Sequence, residues 1–414
     1  MLVLPDRGES TEMRSIEARL DEAAGLAAAI GIEVVARKAF KLRAVRPASL
    51  FGKGQAEEIR DLAEADKAKL LIVDAGLTPV QQKTLEEITK CKVIDRTGLI
   101  LEIFGERAAT AEGRLQVELA HLDYQAGRLV RSWTHLERQR GGFGFLGGPG
   151  ETQIEADRRM IRDRMARIKK ELEQVKRTRG LHRDRRQRAP WPVVALVGYT
   201  NAGKSTLFNR MTRANVLAED LLFATLDPTM REVKLPGFDK AILSDTVGFV
   251  SDLPTQLIAA FRATLEEVAS ADLILHVRDL AHPDSEAQRR DVEDVLASLG
   301  LDEPSSPPRL EVWNKIDLIE GADREALANE AARRDDAVAI SALSGEGVDQ
   351  LREAISARLE SGGAVHHFKL AASDGNRLAW LHARGKVVDQ RIEGETMFLA
   401  VRLSPENKAR YDSM

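Results

Sequence analysis

A glycine-rich loop between an apolar run and an amphipathic segment carries the clearest chemical signal in this sequence. The apolar run 192–197 predicts a strand, and residues 206–210 predict the start of a helix. The spacing G-x-x-x-x-G-K-S between them predicts a phosphate-binding loop, and its members are Gly198, Tyr199, Thr200, Asn201, Ala202, Gly203, Lys204 and Ser205. Glycines let backbone N–H groups approach a polyphosphate, and the helix N-terminus adds partial positive charge. A fortuitous turn is the alternative, but the flanking elements favour a nucleoside-triphosphate site.

The end of this loop is predicted to act on the phosphates. Lys204 should neutralise the β- and γ-phosphates, so we assign it both to nucleotide binding and to catalysis. The Ser205 hydroxyl should be a ligand of Mg²⁺, which prefers hard oxygen donors. Thr206 follows directly and is included among the expected nucleotide contacts.

The tetrapeptide Asn314-Lys315-Ile316-Asp317 predicts which base is bound. It follows the apolar run 310–313, at the carboxyl end of a predicted strand, where open α/β sheets bind ligands. The Asp317 carboxylate can accept two hydrogen bonds from guanine, whereas adenine would leave it unpaired. Lys315 can lie along the base, and Asn314 can join this loop to the phosphate loop. Such a tetrapeptide alone is often a surface turn, but its position after the phosphate loop favours guanine.

A D-x-x-G sequence after the apolar run 241–244 supplies the second phosphate element. Its residues are Asp245, Thr246, Val247 and Gly248. Asp245 is expected to hold Mg²⁺ through water, and the Gly248 N–H is expected to contact the γ-phosphate, which makes Gly248 a predicted catalytic residue. The backbone of one later segment is expected at the guanine O6 atom, namely Ser341, Ala342 and Leu343. These elements in this order predict a GTPase with GTP or GDP as its bound nucleotide.

The segment between the two phosphate elements is expected to close over the nucleotide. Its predicted contacts are Phe223, Ala224, Thr225, Leu226 and Asp227. We select Thr225 as the switch threonine that ligates Mg²⁺ and as the third catalytic residue. Thr229 remains an alternative, because spacing alone does not separate the two threonines.

One side chain typical of many small GTPases is missing. A glutamine often follows the D-x-x-G glycine and orients the attacking water, but Phe249 stands here. A phenyl ring accepts no hydrogen bond from water in this way, so we expect slow intrinsic hydrolysis that needs a partner. Phe249 is also a candidate core side chain that anchors the second switch, and both interpretations can hold.

Length and composition indicate a multidomain cytosolic protein. At about 100–200 residues per domain, a chain of 414 residues predicts several domains. No apolar run is long enough for a membrane span, which needs about 18 residues or more. The single cysteine, Cys91, excludes an intrachain disulfide, and we expect it to pack beside a strand. We expect a monomer, because nothing in the sequence demands a dimer.

The predicted organisation is an α/β multidomain fold with four parts. They are a small N-terminal α/β domain at 1–105, an antiparallel helical hairpin at 106–189, a GTPase domain with a mostly parallel sheet at 190–361, and a small α+β domain at 362–414. In the first part we predict strands at 32–36, 70–73 and 92–94 and helices near 16–30, 55–65 and 80–89. In the last we predict strands at 366–370, 386–392 and 396–403 and a helix at 376–383.

Two apolar seams predict the hairpin. Spacings of three and four residues recur at Leu115, Leu119, Leu122, Ala126, Leu129, Trp133 and Leu136, and again at Ile161, Met165, Ile168, Leu172 and Val175. The glycine-rich segment 140–150 between them should interrupt the helices and form the tip. This tip is either a hinge or an RNA probe whose Phe143 and Phe145 stack on bases beside Arg140. The basic run 176–188 is expected to be a linker that contacts phosphates.

Beyond these motifs, the chain resembles the HflX-type GTPases, translation-associated relatives of the Obg group. The resemblance spans nearly the whole sequence and is carried by VIDRTGLIL (93–101), LQVELA (115–120), WTHLERQ (133–139), GGPGETQ (147–153) and FATLDPT (223–229). The phosphate loop identifies only a superfamily, whereas the glycine-rich hairpin followed by Gly-Glu-Thr-Gln is specific to this group. A hydrophobic residue after D-x-x-G also matches, at Phe249.

The resemblance implies a ribosome-associated GTPase that binds ribosomal RNA of the large (50S) subunit through its hairpin and N-terminal domain. It implies that ribosomes stimulate hydrolysis, that stalled ribosomes are split or rescued under stress, and that the protein is cytoplasmic, on ribosomes or at the membrane surface. It supports Ser205 and Thr225 as Mg²⁺ ligands and 140–150 as the RNA-contacting tip. Three alternatives remain: a large-subunit assembly GTPase, a GTP-gated RNA-modifying enzyme and a protein scaffold.

Overall fold

Three β-sheets and a long helical hairpin make up the described part of the chain. The structure is a computed structural model, and it describes residues 1–8, 14–139, 149–187, 191–212, 223, 229–251, 267–302, 306–361, 364–371, 373–403, 405–412 and 414. The predicted α/β multidomain fold class is confirmed, with a mostly parallel sheet in the GTPase part. No described helix is long and apolar enough to cross a membrane.

The first sheet is parallel and has the strand order β2-β1-β3-β4. Its strands are β1 (Leu2–Asp6), β2 (Arg37–Lys41), β3 (Leu70–Val73) and β4 (Lys92–Asp95). The helices are α1 (Ile16–Ala28), α2 (Lys53–Ala65), α3 (Pro79–Thr89) and α4 (Arg96–Arg107). Polar caps explain where several helices begin: the Ser15 hydroxyl caps α1, Thr78 and Gln81 form a capping box on α3, and Asp95 caps α4.

The strand predicted at 32–36 is wrong. The Ile32 N–H donates to the Ala27 carbonyl (3.0 Å), which ends α1 in a turn, and the chain enters the sheet only when the Ala36 carbonyl accepts from Leu2 N–H (2.8 Å). Ile32, Val34 and Ala36 instead pack partly against the core, and Val35 is exposed. Strand β1, at the very start of the chain, was not predicted, although Leu2, Val3 and Leu4 are fully buried. Cys91 is buried beside β4, as expected.

Two long helices form the hairpin, α5 (Ala111–Gln139) and α6 (Pro149–Gln187). They pack on each other, and Arg164 of α6 donates two hydrogen bonds, of 2.7 and 2.8 Å, to Glu118 of α5. Ile168 of the predicted seam is completely buried. Another face of α5 buries Val117 and Ala120 against the N-terminal domain, so the hairpin is anchored at its base.

Two details of the predicted hairpin need correction. Helix α6 begins at Pro149, so Pro149 and Gly150 belong to its first turn and not to a non-helical tip. Proline tolerates this position because the first N–H groups of a helix have no intrahelical partner. The basic run is not a linker up to Gln187, because it continues α6. The segment 140–148, with Arg140, lies outside the described residues, as does Arg188.

The second sheet has the order β10-β9-β8-β5-β7-β6 and is parallel except for the β6–β7 pair. Its strands are β5 (Val193–Gly198), β6 (Thr229–Leu235), β7 (Phe238–Asp245), β8 (Leu273–Asp279), β9 (Arg309–Asn314) and β10 (Ala337–Ala339). The helices are α7 (Lys204–Thr212), α8 (Ser285–Ser298), α9 (Gly321–Arg333) and α10 (Val348–Ser361). The parallel strands bring the carboxyl ends of β5, β7, β8 and β9 to one edge.

The third sheet is antiparallel, with the order β11-β13-β12. It comprises β11 (Ala364–Ala371), β12 (Lys386–Glu393) and β13 (Thr396–Leu403), covered by α11 (Gly375–Arg384) and α12 (Pro405–Asp412). The predicted strands and first helix of this α+β part fall on these elements, whereas α12 was not predicted.

Two glycines of α4 allow a matched test of the packing between this helix and the hairpin. An alanine Cβ at Gly98 would lie 2.9 Å from both Ile94 Cγ1 and the Tyr124 hydroxyl, whereas one at Gly105 would meet nothing within 4 Å. We expect Gly98→Ala to destabilise the protein by about 1–3 kcal/mol through overpacking. Gly105→Ala should stabilise it by up to about 1 kcal/mol, since alanine is the better helix former. Thermal unfolding followed by circular dichroism checks this, and equal effects of the two changes would contradict it.

Candidate nucleotide-binding site

The phosphate loop leaves the carboxyl end of β5 and enters α7 at Lys204. Two of its glycines are required by the close approach of neighbouring atoms. A Cβ at Gly198 would collide with the Val277 carbonyl, and a Cβ at Gly203, where φ is +91°, would collide with the Asn314 side chain. The loop therefore has the predicted strand–loop–helix geometry, with its backbone held against β8 and β9.

The Lys204 side chain folds back onto the phosphate loop and bonds to its main chain. Its ammonium donates to the carbonyl oxygens of Gly198 (3.1 Å) and Tyr199 (2.8 Å), and the residue is only 6% exposed. Burial lowers the pKa of Lys204 to about 8, against the attraction of Asp245, which raises it. A cation held where burial disfavours charge gains strongly from an anion beside it, so this position suits a phosphate.

Ser205 and Asp245 meet at the predicted metal position. The Ser205 hydroxyl donates to Asp245 Oδ2 (2.8 Å). The register explains the meeting, because Leu196 of β5 lies opposite Asp245 of β7. The Thr246 hydroxyl adds a further bond between the ends of β5 and β7 by donating to the Leu196 carbonyl (2.6 Å). A hydroxyl and a carboxylate oxygen are the donors that Mg²⁺ takes alongside phosphates and water, so the residues fit that ion.

Main-chain hydrogen bonds attach the D-x-x-G segment to the phosphate loop. The Thr200 N–H donates to the Phe249 carbonyl (2.7 Å), and the Phe249 N–H donates to the Gly198 carbonyl (3.1 Å). A Cβ on Gly248 would lie 2.8 Å from Thr200 Cγ2 and 3.0 Å from Lys204 Nζ. The Phe249 ring is 1% exposed, so it is a core side chain, as one of its two predicted roles requires.

The first switch falls largely outside the described residues. Ala224, Thr225, Leu226 and Asp227 belong to that part, and their nucleotide contacts stay predictions. The Phe223 ring is buried edge-on against Phe104 of α4, with centroids 4.6 Å apart. Thr229 begins β6 opposite Asp245 in the antiparallel register. The choice between Thr225 and Thr229 therefore stays open.

Asn314 links the base-binding loop to two other loops, as its predicted role requires. Its Nδ2 donates to the Ala202 carbonyl (2.7 Å), and its Oδ1 accepts from the Ala342 N–H (2.9 Å). The side chain is buried, so these bonds are shielded from water. One amide thus holds the phosphate loop, the N-K-x-D loop and the segment after β10 together.

Asp317 presents an acceptor without a partner. Its Oδ1 is buried and has no hydrogen-bond partner among the described residues. Such an atom costs free energy unless a ligand donates to it. Neighbouring Lys315 has a φ of 65° and pairs with Asp279 at 2.8 Å. The geometry fits the predicted recognition of a base that carries adjacent N–H donors.

The segment after β10 is held by a residue that sequence reasoning missed. Arg210 of α7 donates to the Ala342 carbonyl (2.6 Å) and to the Leu343 carbonyl. Ser341 is buried, and its hydroxyl accepts from the Ser344 N–H (3.0 Å). The pairing of Asp279 with Lys315 was also missed. Its position after an apolar run, like that of Asp245, was a signal that could have predicted a residue at this edge of the sheet. Arg210 carried no comparable signal.

Comparisons with known proteins show which family the chain is similar to. Four family models match: the GTP-binding GTPase N-terminal region over residues 17–105, the GTP-binding GTPase middle region over 107–186, the 50S ribosome-binding GTPase over 193–315 and the HflX C-terminal domain over 326–413. The matches together cover most of the chain.

Individual relatives match over most of their length. The GTPase HflX of Magnetococcus marinus is 52% identical over 386 residues, which cover 93% of this chain and 88% of the relative. The GTPase HflX of Escherichia coli is 45% identical over 86% of this chain and 82% of the relative. A crystal structure of a GTP-binding protein from Sulfolobus solfataricus in complex with GDP is 22% identical, covers 87% of this chain and 98% of its own, and has a TM-score of 0.46.

The Oδ1 atom of Asp317, which has no partner among the described residues, motivates a test of base recognition. Asp317→Asn replaces an acceptor by a donor at one position, so we expect GTP affinity to fall about a hundredfold and xanthosine triphosphate affinity to rise. Displacement of a fluorescent guanine nucleotide measures both. Asp323→Asn, the same change at an exposed position of α9, is the control and should leave both affinities unchanged. An unaltered base preference in Asp317→Asn would refute the assignment.

Proposed function

Because this chain belongs to the HflX family of GTPases, we propose that it binds the large ribosomal subunit in its GTP-bound state and splits stalled ribosomes into subunits. The observation that carries the proposal is that the phosphate loop, the D-x-x-G segment and the N-K-x-D loop meet in one cleft, which is joined through the N-terminal domain to the base of a long helical hairpin. The GTPase activity is that of the family. The ribosomal target is supported by the match of residues 193–315 to the 50S ribosome-binding GTPase family.

Nucleotide binding would supply partners to the polar groups of the cleft. Phosphate oxygens would take over the Lys204 ammonium from the loop carbonyls, and the guanine edge would donate to Asp317. Ser205, together with Thr225 or Thr229, would hold Mg²⁺ directly, and Asp245 would hold it through water. The ion would neutralise charge that develops on the phosphates. Among described residues no cluster of three or more His, Cys, Asp or Glu exists, which suits an ion whose remaining ligands are phosphates and water.

Hydrolysis is expected to depend on the ribosome. The residue after Gly248 is a buried phenylalanine whose main chain is bonded to Gly198, so its side chain cannot orient the attacking water. Lys204 and the Gly248 N–H would stabilise the phosphates, and Thr225 would order the first switch. The missing water-positioning group would come from the large subunit, or from a switch arrangement that only the large subunit stabilises. Slow intrinsic hydrolysis follows.

The hairpin would be the RNA-contacting arm. Helix α6 ends with basic residues at 176–187, and the tip at 140–148 contains glycines and two phenylalanines. Glycines allow close backbone approach, and aromatic rings stack on splayed bases. We place the protein in the cytoplasm, as a monomer when it is not bound to ribosomes.

Stimulation by the large subunit tests this proposal directly. Purified 50S subunits should raise the rate of GTP hydrolysis by about a hundredfold or more, because they complete the catalytic site. Replacing residues 141–148 by a short turn should abolish this stimulation and leave GTP affinity unchanged, since none of the predicted nucleotide contacts belongs to this segment. Phosphate release with and without 50S subunits is the measurement.

Sedimentation of intact 70S ribosomes with the protein and a non-hydrolysable GTP analogue then distinguishes splitting from an assembly role, because only splitting yields free subunits.

The metal role of Ser205 can be tested apart from the ribosome. Ser205→Ala removes one oxygen ligand of Mg²⁺. We therefore expect the Mg²⁺ concentration that gives half-maximal GTP binding to rise about tenfold or more. Titration of Mg²⁺ at fixed nucleotide, followed by tryptophan or fluorescent-nucleotide signals, reports this. Ser298→Ala, at the end of α8, is the control. Identical Mg²⁺ titrations for Ser205→Ala and the unmodified protein would remove Ser205 from the metal site.

A further inference from the structure

A buried polar cluster joins the N-terminal domain to the phosphate loop. Its centre is Glu22 of α1, which accepts from the Tyr199 hydroxyl (2.6 Å) and the Ser251 hydroxyl (3.1 Å) and also pairs with Arg96 and Arg14. Burial would raise the pKa of the Glu22 carboxyl, but Arg96, Tyr199 and Arg14 hold it below its usual value. Glu22 is therefore an anion held by groups from both domains.

Ser251 is held at all of its polar groups. Its N–H donates to the Tyr199 hydroxyl (2.8 Å), its hydroxyl donates to Glu22, and its carbonyl and hydroxyl accept from Arg96 at 3.1 and 2.8 Å. Ser251 stands three residues beyond Gly248, which is expected to contact the γ-phosphate. Any movement of that segment must therefore change the contacts of Ser251 with Arg96, Glu22 and Tyr199.

The neighbour of Arg96 binds the hairpin. Asp95 caps α4 through the Gly98 N–H (2.8 Å) and accepts from two residues of α5, the Tyr124 hydroxyl (2.6 Å) and Arg128 (2.7 Å). Arg96 itself is 5% exposed and donates to Asp74 at 2.6 Å. Two adjacent residues at one helix start thus hold the segment after Gly248 on one side and the hairpin on the other.

We propose that the Asp95–Arg96 pair, with Glu22 and Ser251, is the coupling element through which the nucleotide state reaches the hairpin. This inference rests on the proposed function, because it explains how GTP controls the RNA-binding arm. Glu22 and Arg96 are positioning residues: Glu22 contacts Tyr199 of the phosphate loop, both contact Ser251, and neither is among the predicted nucleotide contacts.

Adhesion between the domains does not require these charges. The same elements already bury Leu26, Ile100 and Phe104 in one apolar cluster with Val247 and Phe249. A buried ion pair often adds little net stability, whereas breaking it is costly, so it selects one geometry over its alternatives. A displaced Ser251 would leave buried groups unpaired unless α4 followed it. Because Asp95 caps the N-terminus of α4 and accepts hydrogen bonds from α5, α5 would move with α4.

Hydrogen–deuterium exchange of the free, full-length protein tests this coupling. In the unmodified protein, exchange in α4 and in the part of α5 up to Arg128 should differ between GDP and a non-hydrolysable GTP analogue. Glu22→Gln keeps the shape but removes the charge, and it should reduce this difference at least about threefold. Glu58→Gln, in an exposed pair with Lys38 on the same domain, is the matched control and should keep the difference.

Two further variants locate the coupling. Tyr124→Phe removes one hydroxyl on the hairpin side, so the difference should shrink in α5 and persist in α4. Ser251→Ala, a smaller change than Glu22→Gln, should reduce the difference in both helices and provides the test if Glu22→Gln does not fold. An undiminished difference in Ser251→Ala or Glu22→Gln, or no difference in the unmodified protein, would overturn the inference.

This measurement is independent of ribosomes, so its outcome is separate from that of the proposed function. A protein that fails to bind 50S subunits but shows the exchange pattern would retain the coupling and lose the proposed target. A protein whose 50S affinity depends on nucleotide, and keeps that dependence in Glu22→Gln, would retain the target and lose this coupling route.

Discussion

The two main-chain hydrogen bonds between the phosphate loop and Phe249 are the constraint on which the rest of the site depends. They extend the pairing of the central sheet by one isolated bridge, between Tyr199 and Phe249, beyond the ends of β5 and β7. Because main-chain bonds do not depend on side-chain rotamers, they hold Gly248 against Thr200 and Lys204 with little freedom. A phosphate group that shifts the phosphate loop must therefore also shift the D-x-x-G segment, and the reverse holds as well.

Three polar groups of the cleft carry a free-energy cost that a bound ligand would relieve. Lys204 is charged in a place where burial disfavours charge, and Thr200 Oγ1 and Asp317 Oδ1 have no hydrogen-bond partner among the described residues. Each of these groups loses free energy in the fold and regains it when a ligand pairs with it. Nucleotide binding and local order are for this reason linked, and the affinity of the site includes the relief of these costs.

Chemistry encoded over a few residues could be predicted from the sequence, whereas contacts between distant segments could not. The strand–loop–helix geometry of the phosphate loop could be predicted because the close approach of Val277 and Asn314 requires glycine at 198 and 203, whereas the ligand contacts of N-K-x-D stay predictions. The strand predicted at 32–36 failed because the Ile32 N–H bonds back to Ala27 of α1 and not to a neighbouring strand, a contact that the apolar pattern does not reveal. The pairing of Glu22 with Ser251 spans 229 positions and follows no periodicity. The start of α6 at Pro149 was missed although proline is common in the first turn of a helix.

The anchoring of the hairpin at Asp95 has a mechanical consequence. Helix α5 is bonded to Asp95 through Tyr124 and Arg128 and then continues to Gln139, which is about 16 Å further along the helix axis. A tilt of about 10° at the anchor would displace that end by about 3 Å, which is the length of one hydrogen bond. Contacts near the anchor would hardly change, because they lie close to the pivot. Small adjustments at Ser251 can therefore stay within the packing tolerance of the domain interface while they make or break contacts at the far end of the arm.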